Sequence, residues 1–574
     1  MKLIPSPKKS EIKEGFLTSK TLNIAEAPTD ERIQKALEWF SCDADGTRLE
    51  LSIGACDDES YTIEIDEKTI RLNSNGPAGA FYAIQTLRQI FANEQVPCCS
   101  IEDAPDFRCR GFYHDITRGK VPKVETIKKL IDEMAYYKLN SLQLYVEHTF
   151  EFTEFADSIH RTGYLSAAEL REIDTYCHEH FIEFIPSLAT FGHLYELLEQ
   201  EQYRHLQEIE NFESSPFFWE NRMRHHTIDP TQEESFELIK RLIDQYLVCF
   251  SSDKFNICGD ETFDLKDGKH KSEDTGKLYL DFIRKIVEYL QSKGKKVLMW
   301  ADILLNHPEQ IDKLPTGVSL LNWYYWTEPD EKTFEAIQNA NRPQIVCPGT
   351  GSWMGFCELV KTEIENICKM TELGYQYGAE GVLNTNWGDW GNPCSLELAM
   401  FGLVLGAAKS WNVSTTVDKP YLDSVNDLLY KHKNAVSYLM QVSDCSEKIR
   451  WELFAKCYAN MITDGSAYVV EYPSAEALRL TITECQSVMD AVAGEVWEES
   501  RFQTQLLLSA EAVAIMAEHL AVLAGYTKTK ELDTQAWLAK YRKSWLDANK
   551  ESELTEIEKA FLAINTQTTS LCNE

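Results

Sequence analysis

The sequence predicts an α/β protein: a (β/α)8 barrel preceded by a small α+β domain and followed by a helical C-terminal domain. Three observations predict it. Eight short apolar runs recur between residues 111 and 387, helical patterns fill most of the gaps, and strand signals vanish beyond about residue 420. The chain's 574 residues exceed one ordinary domain, and a hydrophobic content of 44% supplies a large core. The expected domains are 1–105, 106–420 and 421–574.

In the first domain, "RLELSIG" and "SYTIEID" alternate as half-buried strands do, and "TIRLNS" adds a third strand. "GPAGAFYAIQTLRQIF" then sets Ala80, Ile84, Leu87 and Phe91 at helical spacing. The barrel strands are expected at 111–116, 141–146, 182–189, 254–261, 296–303, 318–325, 344–350 and 381–387. Ile127, Leu130, Ile131 and Met134 stripe the helix between the first two. Further helices are expected near 166–180, 234–250, 276–293, 357–376 and 395–410, while the gap between the fifth and sixth runs is short and no full helix is assigned to it. A doubly wound open sheet is the alternative; eight parallel units and the lack of a Gly-rich phosphate loop count against it. Beyond 420, "VNDLLYKHKNAVSYLMQV", "AEALRLTITECQSVMDAV" and "QTQLLLSAEAVAIMAEHLAVLAGY" read as amphipathic helices.

A formal charge of -34 argues against nucleic-acid or anionic-membrane partners, whose phosphates need clustered Lys and Arg. The N-terminal "MKLIPSPKKSEIKEG" has no apolar core of signal-peptide length, and no stretch reads as the roughly 20 apolar residues of a membrane span. The sixteen cysteines are scattered without paired zinc spacing, which favours a reduced, cytoplasmic protein. No cofactor is expected, and a homodimer is left open.

In barrels of this kind the C-terminal strand tips line the active site. Here the tips collect Asp115, then Glu147 and His148, then His193, then Asp260 and Glu261, then Trp300 and Asp302. Trp323 to Trp326, Trp353, and Trp387 with Asp389 and Trp390 complete the ring. One tryptophan in a strand is ordinarily core. Several at one end, interleaved with carboxylates, suit a sugar: indoles stack on pyranose faces and carboxylates accept from hydroxyls. His193, Glu147 and His148 make a conceivable metal set but lack ligand spacing, so no metal is expected. In "FNICGDETF" (255–263) two adjacent acids follow a buried strand, and they can face one site only if Gly259 breaks the extended backbone.

These residues make the chain resemble the β-N-acetylhexosaminidases, a family of substrate-assisted retaining glycoside hydrolases. The likeness runs from about residue 59 to 412. It includes Gly79, Ala80, Phe81, Tyr82, Gln85, Thr86 and Leu87 in the small domain, with Ile101, Asp103, Pro105 and Phe107 behind them. Arg110-Gly111, "YKLN" (137–140), Gly192-His193, Gly259-Asp260-Glu261, Trp387-Gly388-Asp389 and "AAKSWN" (407–412) follow in order. The resemblance implies that Arg110 binds ring hydroxyls, that Asp260 holds the substrate's acetamide N–H, and that Glu261 is the general acid and base. It also implies that His193, Trp300, Trp323, Trp387 and Asp389 bind substrate. Glu147, His148, Tyr324 and Trp353 are further candidates, with Tyr325 an alternative to Tyr324 as donor to the acetamide oxygen.

The chain departs from the family in three places. "QLYVEHTFEF" (143–152) stands where a His-rich run with paired Asp is usual, Asn256 replaces a His, and "GTGSWMGF" (349–356) replaces the Tyr-Leu-Asp stretch that holds the acetamide. The implied activity is removal of terminal β-linked N-acetylglucosamine or N-acetylgalactosamine with retention, through an oxazolinium ion. Glu261 should then start protonated, held so by an apolar setting or by ionised Asp260. The alternatives are a barrel glycosidase using two protein carboxylates, such as Glu261 and Asp302, and an inactive carbohydrate-binding protein.

Overall fold

The computed structural model describes every residue except 25, 156–162, 210–217, 224–225, 464–466, 529–531 and 574. Six strands form the first sheet: β1 (Lys9–Phe16), β2 (Leu22–Ile24), β3 (Thr47–Ile53), β4 (Tyr61–Ile65), β5 (Thr69–Ser74) and β6 (Pro97–Asp103), in the order β1-β6-β4-β5-β3-β2. In β4, Tyr61, Ile63 and Ile65 alternate inward, and helix Pro77–Phe91 packs over β4 and β5. Strands β1, β2 and β6 are additions to the expected set. β1 is an exposed edge, "KSEIKEGF", whose Ile12 and Phe16 both face solvent, so it shows no buried-face alternation.

Eight parallel strands then close a barrel: β7 (Cys109–Asp115), β8 (Ser141–Val146), β9 (Glu183–Leu188), β10 (Lys254–Asn256), β11 (Lys296–Trp300), β12 (Val318–Trp323), β13 (Gln344–Cys347) and β14 (Gly381–Asn386). β14 pairs with β7, and Asn256 opposite Ser187 joins β10 to β9. β8 and β14 are buried on both faces, so their sequences run without polar alternation. Helices Val124–Tyr136, Ala167–Glu179, Glu233–Leu247, Thr275–Ser292, Glu331–Asn339, Val360–Gln376 and Met400–Trp411 surround it. The gap after β11 carries only the four-residue helix Asp302–Leu305 and a 3-10 turn.

The run expected to extend to 261 stops at Asn256. Cys258 and Gly259 take left-handed φ of 56° and 81°, with the Cys258 N–H donating to Asn256 Oδ1 at 2.9 Å.

Helices from Lys419–Leu428 to Leu554–Asn573 complete the chain, and the candidate 425–442 divides into two, broken at 429–434. Their core takes in Phe218, Trp219, Phe356 and Trp390 from barrel loops. Helix Ser500–Leu523 is long and apolar enough to cross a membrane, contrary to the reading above, but 83% of its apolar window is buried inside the molecule.

Candidate active site

The left-handed turn at 258–259 aims both neighbouring acids the same way. Asp260 Oδ2 lies 3.2 Å and Glu261 Oε2 3.3 Å from one atom, His193 Nε2. Glu261 itself has φ 50° and His193 φ 58°, conformations that cost side-chain-bearing residues strain and that cluster at functional sites. Gly192 is required beside them, because a Cβ there would stand 2.5 Å from the Asp260 carbonyl oxygen. The turn is pinned from three sides: Tyr279 Oη donates to Gly259 O (2.8 Å), Trp300 N donates to Cys258 O (3.0 Å), and Glu261 N donates to Asp302 Oδ2 (3.0 Å). Asp302 is thereby engaged in holding the Glu261 backbone.

Burial works against a charge on His193, yet Asp260 and Glu261 outweigh it and raise its pKa to about 10, so the imidazole is a cation between two acids. His193, Asp260 and Glu261 have ligand atoms close enough to hold a metal ion, which would have to displace the imidazole proton to bind. Burial, and then Asp260, push Asp302 up to about 7.

A second charge centre lies beside the first. Arg118, just beyond the tip of β7, is 5% exposed and faces Asp115 (3.2 Å), Glu147 (3.5 Å) and Asp389 (3.5 Å). Its guanidinium sits over the Tyr145 ring (4.6 Å) and the Trp387 ring (5.0 Å). Asp115 also accepts from Gly388 N at 3.0 Å, and Tyr145 Oη donates to Glu147 at 2.8 Å. Burial raises Glu147 against the pull of Arg118, and burial likewise lifts Asp389 to about 6.

The aromatic residues divide into floor and walls. Trp387 lies against Tyr113, Tyr145 and Trp300 at ring distances of 5.1–5.9 Å. Trp300 is wholly buried and supports that floor from below. Trp387 Nε1 donates to Tyr325 Oη (2.7 Å), and Tyr325 stacks on Trp323 (5.0 Å) and meets Trp353 (5.5 Å). His148 is buried beside Phe155.

Two expected positions move. Arg110 is the second residue of β7, at the end of the barrel opposite the acids. It is fully buried, paired with Glu59 through 2.6 and 3.1 Å contacts, donating to the Lys138 and Phe107 carbonyls, and enclosed by Tyr82 and Trp411. It joins the barrel to the first domain and cannot reach a sugar at the strand tips. Arg118 is the arginine at the site, and its position three residues past Asp115 is the signal that marks it. Tyr324 packs outward against the cluster of Phe107, Phe334 and Val346, so the tyrosine turned to the site is Tyr325.

Comparison with known proteins gives a consistent picture. The profile "Glycosyl hydrolase family 20, catalytic domain" matches residues 107–389, and "Glycosyl hydrolase family 20, domain 2" matches 1–104. The Porphyromonas gingivalis protein named Beta-hexosaminidase is 25% identical over 333 residues, 51% of this chain and 40% of its own length. The chain thus spans less than half of that relative. Among solved structures, the β-N-acetylhexosaminidase of Bacteroides fragilis superposes with a TM-score of 0.59 at 20% identity, covering 74% of this chain and 94% of its own. The chitobiase of Flavobacterium johnsoniae covers 98% and 99% at a TM-score of 0.58 and 17% identity, so the shared fold extends to the helical domain.

Proposed function

From the premise that this chain belongs to glycosyl hydrolase family 20, we propose that it is an exo-acting β-N-acetylhexosaminidase that removes terminal β-linked N-acetylglucosamine or N-acetylgalactosamine with the substrate's acetamide as nucleophile. The observation that carries this reading is the convergence of Asp260 and Glu261 on one imidazole nitrogen. Two carboxylates on the same side cannot bracket an anomeric carbon from opposite faces, as a protein nucleophile and acid must. In this reading the nucleophile comes from the substrate, as the resemblance to the substrate-assisted hexosaminidases implies.

The acetamide oxygen attacks C1 as the C1–O bond breaks, and Glu261 gives its proton to the departing oxygen. Asp260 accepts the acetamide N–H and balances the positive charge of the oxazolinium ring. Water then attacks C1 and gives its proton to Glu261, which restores the acid and retains the configuration. Tyr325, oriented by Trp387 Nε1, stands as donor to the acetamide oxygen. Arg118 and Asp389 offer a donor and an acceptor for ring hydroxyls, with Trp387 beneath the ring.

Chromogenic β-glycosides with and without the 2-acetamido group test the reading. Hydrolysis confined to the acetamido sugars, with inhibition by an N-acetylglucosamine-derived thiazoline, is expected; comparable rates on plain glucosides would sink it. Glu261→Gln should lose about 10²–10⁴-fold on poor leaving groups and much less on activated aryl glycosides. A reducing, cytoplasmic location accompanies the proposal, supported by sixteen free cysteines. Activity should then persist in dithiothreitol.

A further inference from the structure

The segment between helices Thr534–Ala548 and Leu554–Asn573 lies along residues 119–123, the stretch that leaves Arg118. Lys123 N donates to Ala548 O (3.0 Å), Lys550 N to Val121 O (2.9 Å), Val121 N to Ser552 Oγ (2.9 Å) and Glu553 N to Gly119 O (3.0 Å). Pro122 and Asn549 form an antiparallel bridge within this ladder. The helical domain thereby holds the backbone directly after Arg118 over its whole exit path.

The Glu553 side chain bears on the segment after Asp389 indirectly, through Trp219. Its carboxylate is buried and accepts from Arg222 Nη2 (2.7 Å) and Trp219 Nε1 (3.2 Å), and Arg222 also bonds Glu196 (2.7 Å). The Trp219 indole lies so close to Gly391 that a Cβ there would come within 2.9 Å of it, and Gly391 in turn abuts Gly119. Gly391 is two residues beyond Asp389. The domain grips this second segment twice more, through Trp451 Nε1 to Trp390 O (2.7 Å) and Tyr541 Oη to Pro393 O (3.0 Å).

We propose that the helical C-terminal domain is part of the substrate-binding apparatus, with Ser552 and Glu553 as positioning residues that set Arg118 against Asp389 and so set affinity for the sugar ring. Neither residue touches the reacting atoms. Their effect runs through two backbone segments whose side chains meet at 3.5 Å. The inference rests on the reading that this pair binds ring hydroxyls.

The test is steady-state hydrolysis of an aryl N-acetyl-β-glucosaminide by full-length variants, with melting temperature measured alongside. Ser552→Ala removes one hydrogen bond to Val121 and should raise KM about 3-fold, and Glu553→Ala about 10-fold, while kcat changes less than about 3-fold. Glu553→Gln keeps the side chain's shape but only one of the two acceptors, because its NH2 must face either Arg222 Nη2 or Trp219 Nε1, and should recover only part of that loss. Lys448→Ala breaks an exposed ion pair with Glu484 elsewhere in the domain and should leave KM alone. If Glu553→Ala does not fold, Ser552→Ala decides. An active wild type whose KM is unmoved in the Ser552 and Glu553 variants, whatever their melting temperatures, overturns the positioning role. A wild type inactive on every aryl 2-acetamido glycoside fails the proposed activity itself and takes this inference with it.

Discussion

Arg110 and Arg118 lie eight residues apart in the sequence, on and just beyond the first barrel strand, both essentially buried, and they do opposite work at its two ends. Arg110 is closed. Its donors meet one carboxylate bidentately at 2.6 and 3.1 Å and two carbonyls at 2.9 and 3.0 Å, which leaves it little capacity for a ligand. Arg118 is outnumbered, with three carboxylates at 3.2–3.5 Å and no short bidentate partner among them. A buried ion held at long contacts in surplus opposite charge is costly unless something else completes it. The difference teaches that burial of an arginine says little about its role; the saturation of its donors and the end of the strand it occupies say more.

Breaking Arg110 should give the largest effect, and on stability. Arg110→Ala leaves Glu59 beside an uncompensated cavity, and about 3–5 kcal/mol of folding free energy should be lost, as for other buried pairs cut on one side. Urea unfolding measures it, and the KM of the surviving folded fraction should stay near wild type. A kinetic defect without a stability defect would reverse the assignment of the two ends. Arg118→Ala should add the kinetic defect that Arg110→Ala lacks: kcat/KM reduced about 10²–10³-fold through lost charged hydrogen bonds, with a lower melting temperature as well, because Asp115, Glu147 and Asp389 lose their counter-ion. A large drop in melting temperature with normal kinetics would make Arg118 structural.

That contrast also measures how much of the molecule was legible. The barrel was, because parallel strands covered on both faces leave continuous apolar runs that eight-fold repetition makes hard to mistake. The paired acids were legible too, since Gly259 marks where a strand stops. β1 and β2 were not: a solvent-facing edge strand and a three-residue strand carry no burial pattern. Arg110 was placed by motif adjacency to Gly111, which carries no information about which end of the strand it occupies. Tyr324 and Tyr325 are neighbours on opposite faces, and a one-residue ambiguity in where β12 ends exchanges core for site.

A buried acid pair with no arginine sharpens the comparison at smaller scale. Glu358 and Glu363 are both buried under helix Met400–Trp411, and burial pushes both well above the usual carboxylate range, Glu363 further through Glu358. The groups facing them, Cys357, Cys394, Tyr421 and Tyr430, are also pushed up and stay neutral near pH 7. A carboxyl raised on folding contributes stability that is full below its unfolded value of 4.5 and is lost as pH rises through the folded one. Thermal stability should therefore fall between pH 5 and 8 from this pair. Glu363→Gln should flatten that fall and stabilise the protein at pH 8 by about 1–3 kcal/mol, the scale of an uncompensated buried polar group. A steeper fall in Glu363→Gln would mean the pair is ionised and otherwise balanced.

The smallest effect expected is at Asp389, where binding and stability pull apart. Burial raises Asp389 from 3.8 to about 6 while Arg118 opposes the rise and Asp115 and Glu261 add to it. Its share of stability is accordingly greatest below pH 3.8 and declines as pH rises through about 6. Hydroxyl binding wants the ionised form, because only then do both oxygens accept. Acidification from pH 7 to pH 5 should thus raise KM several-fold, roughly 3- to 10-fold for one weakened charged hydrogen bond, while any stability change from this group runs in the protective direction. Asp389→Asn removes the titration: its KM should be high and flat across that interval. A KM limb near pH 6 that survives in Asp389→Asn would move the titrating role to another raised acid near the site, such as Asp302, pushed to about 7, or Asp264, pushed to about 6.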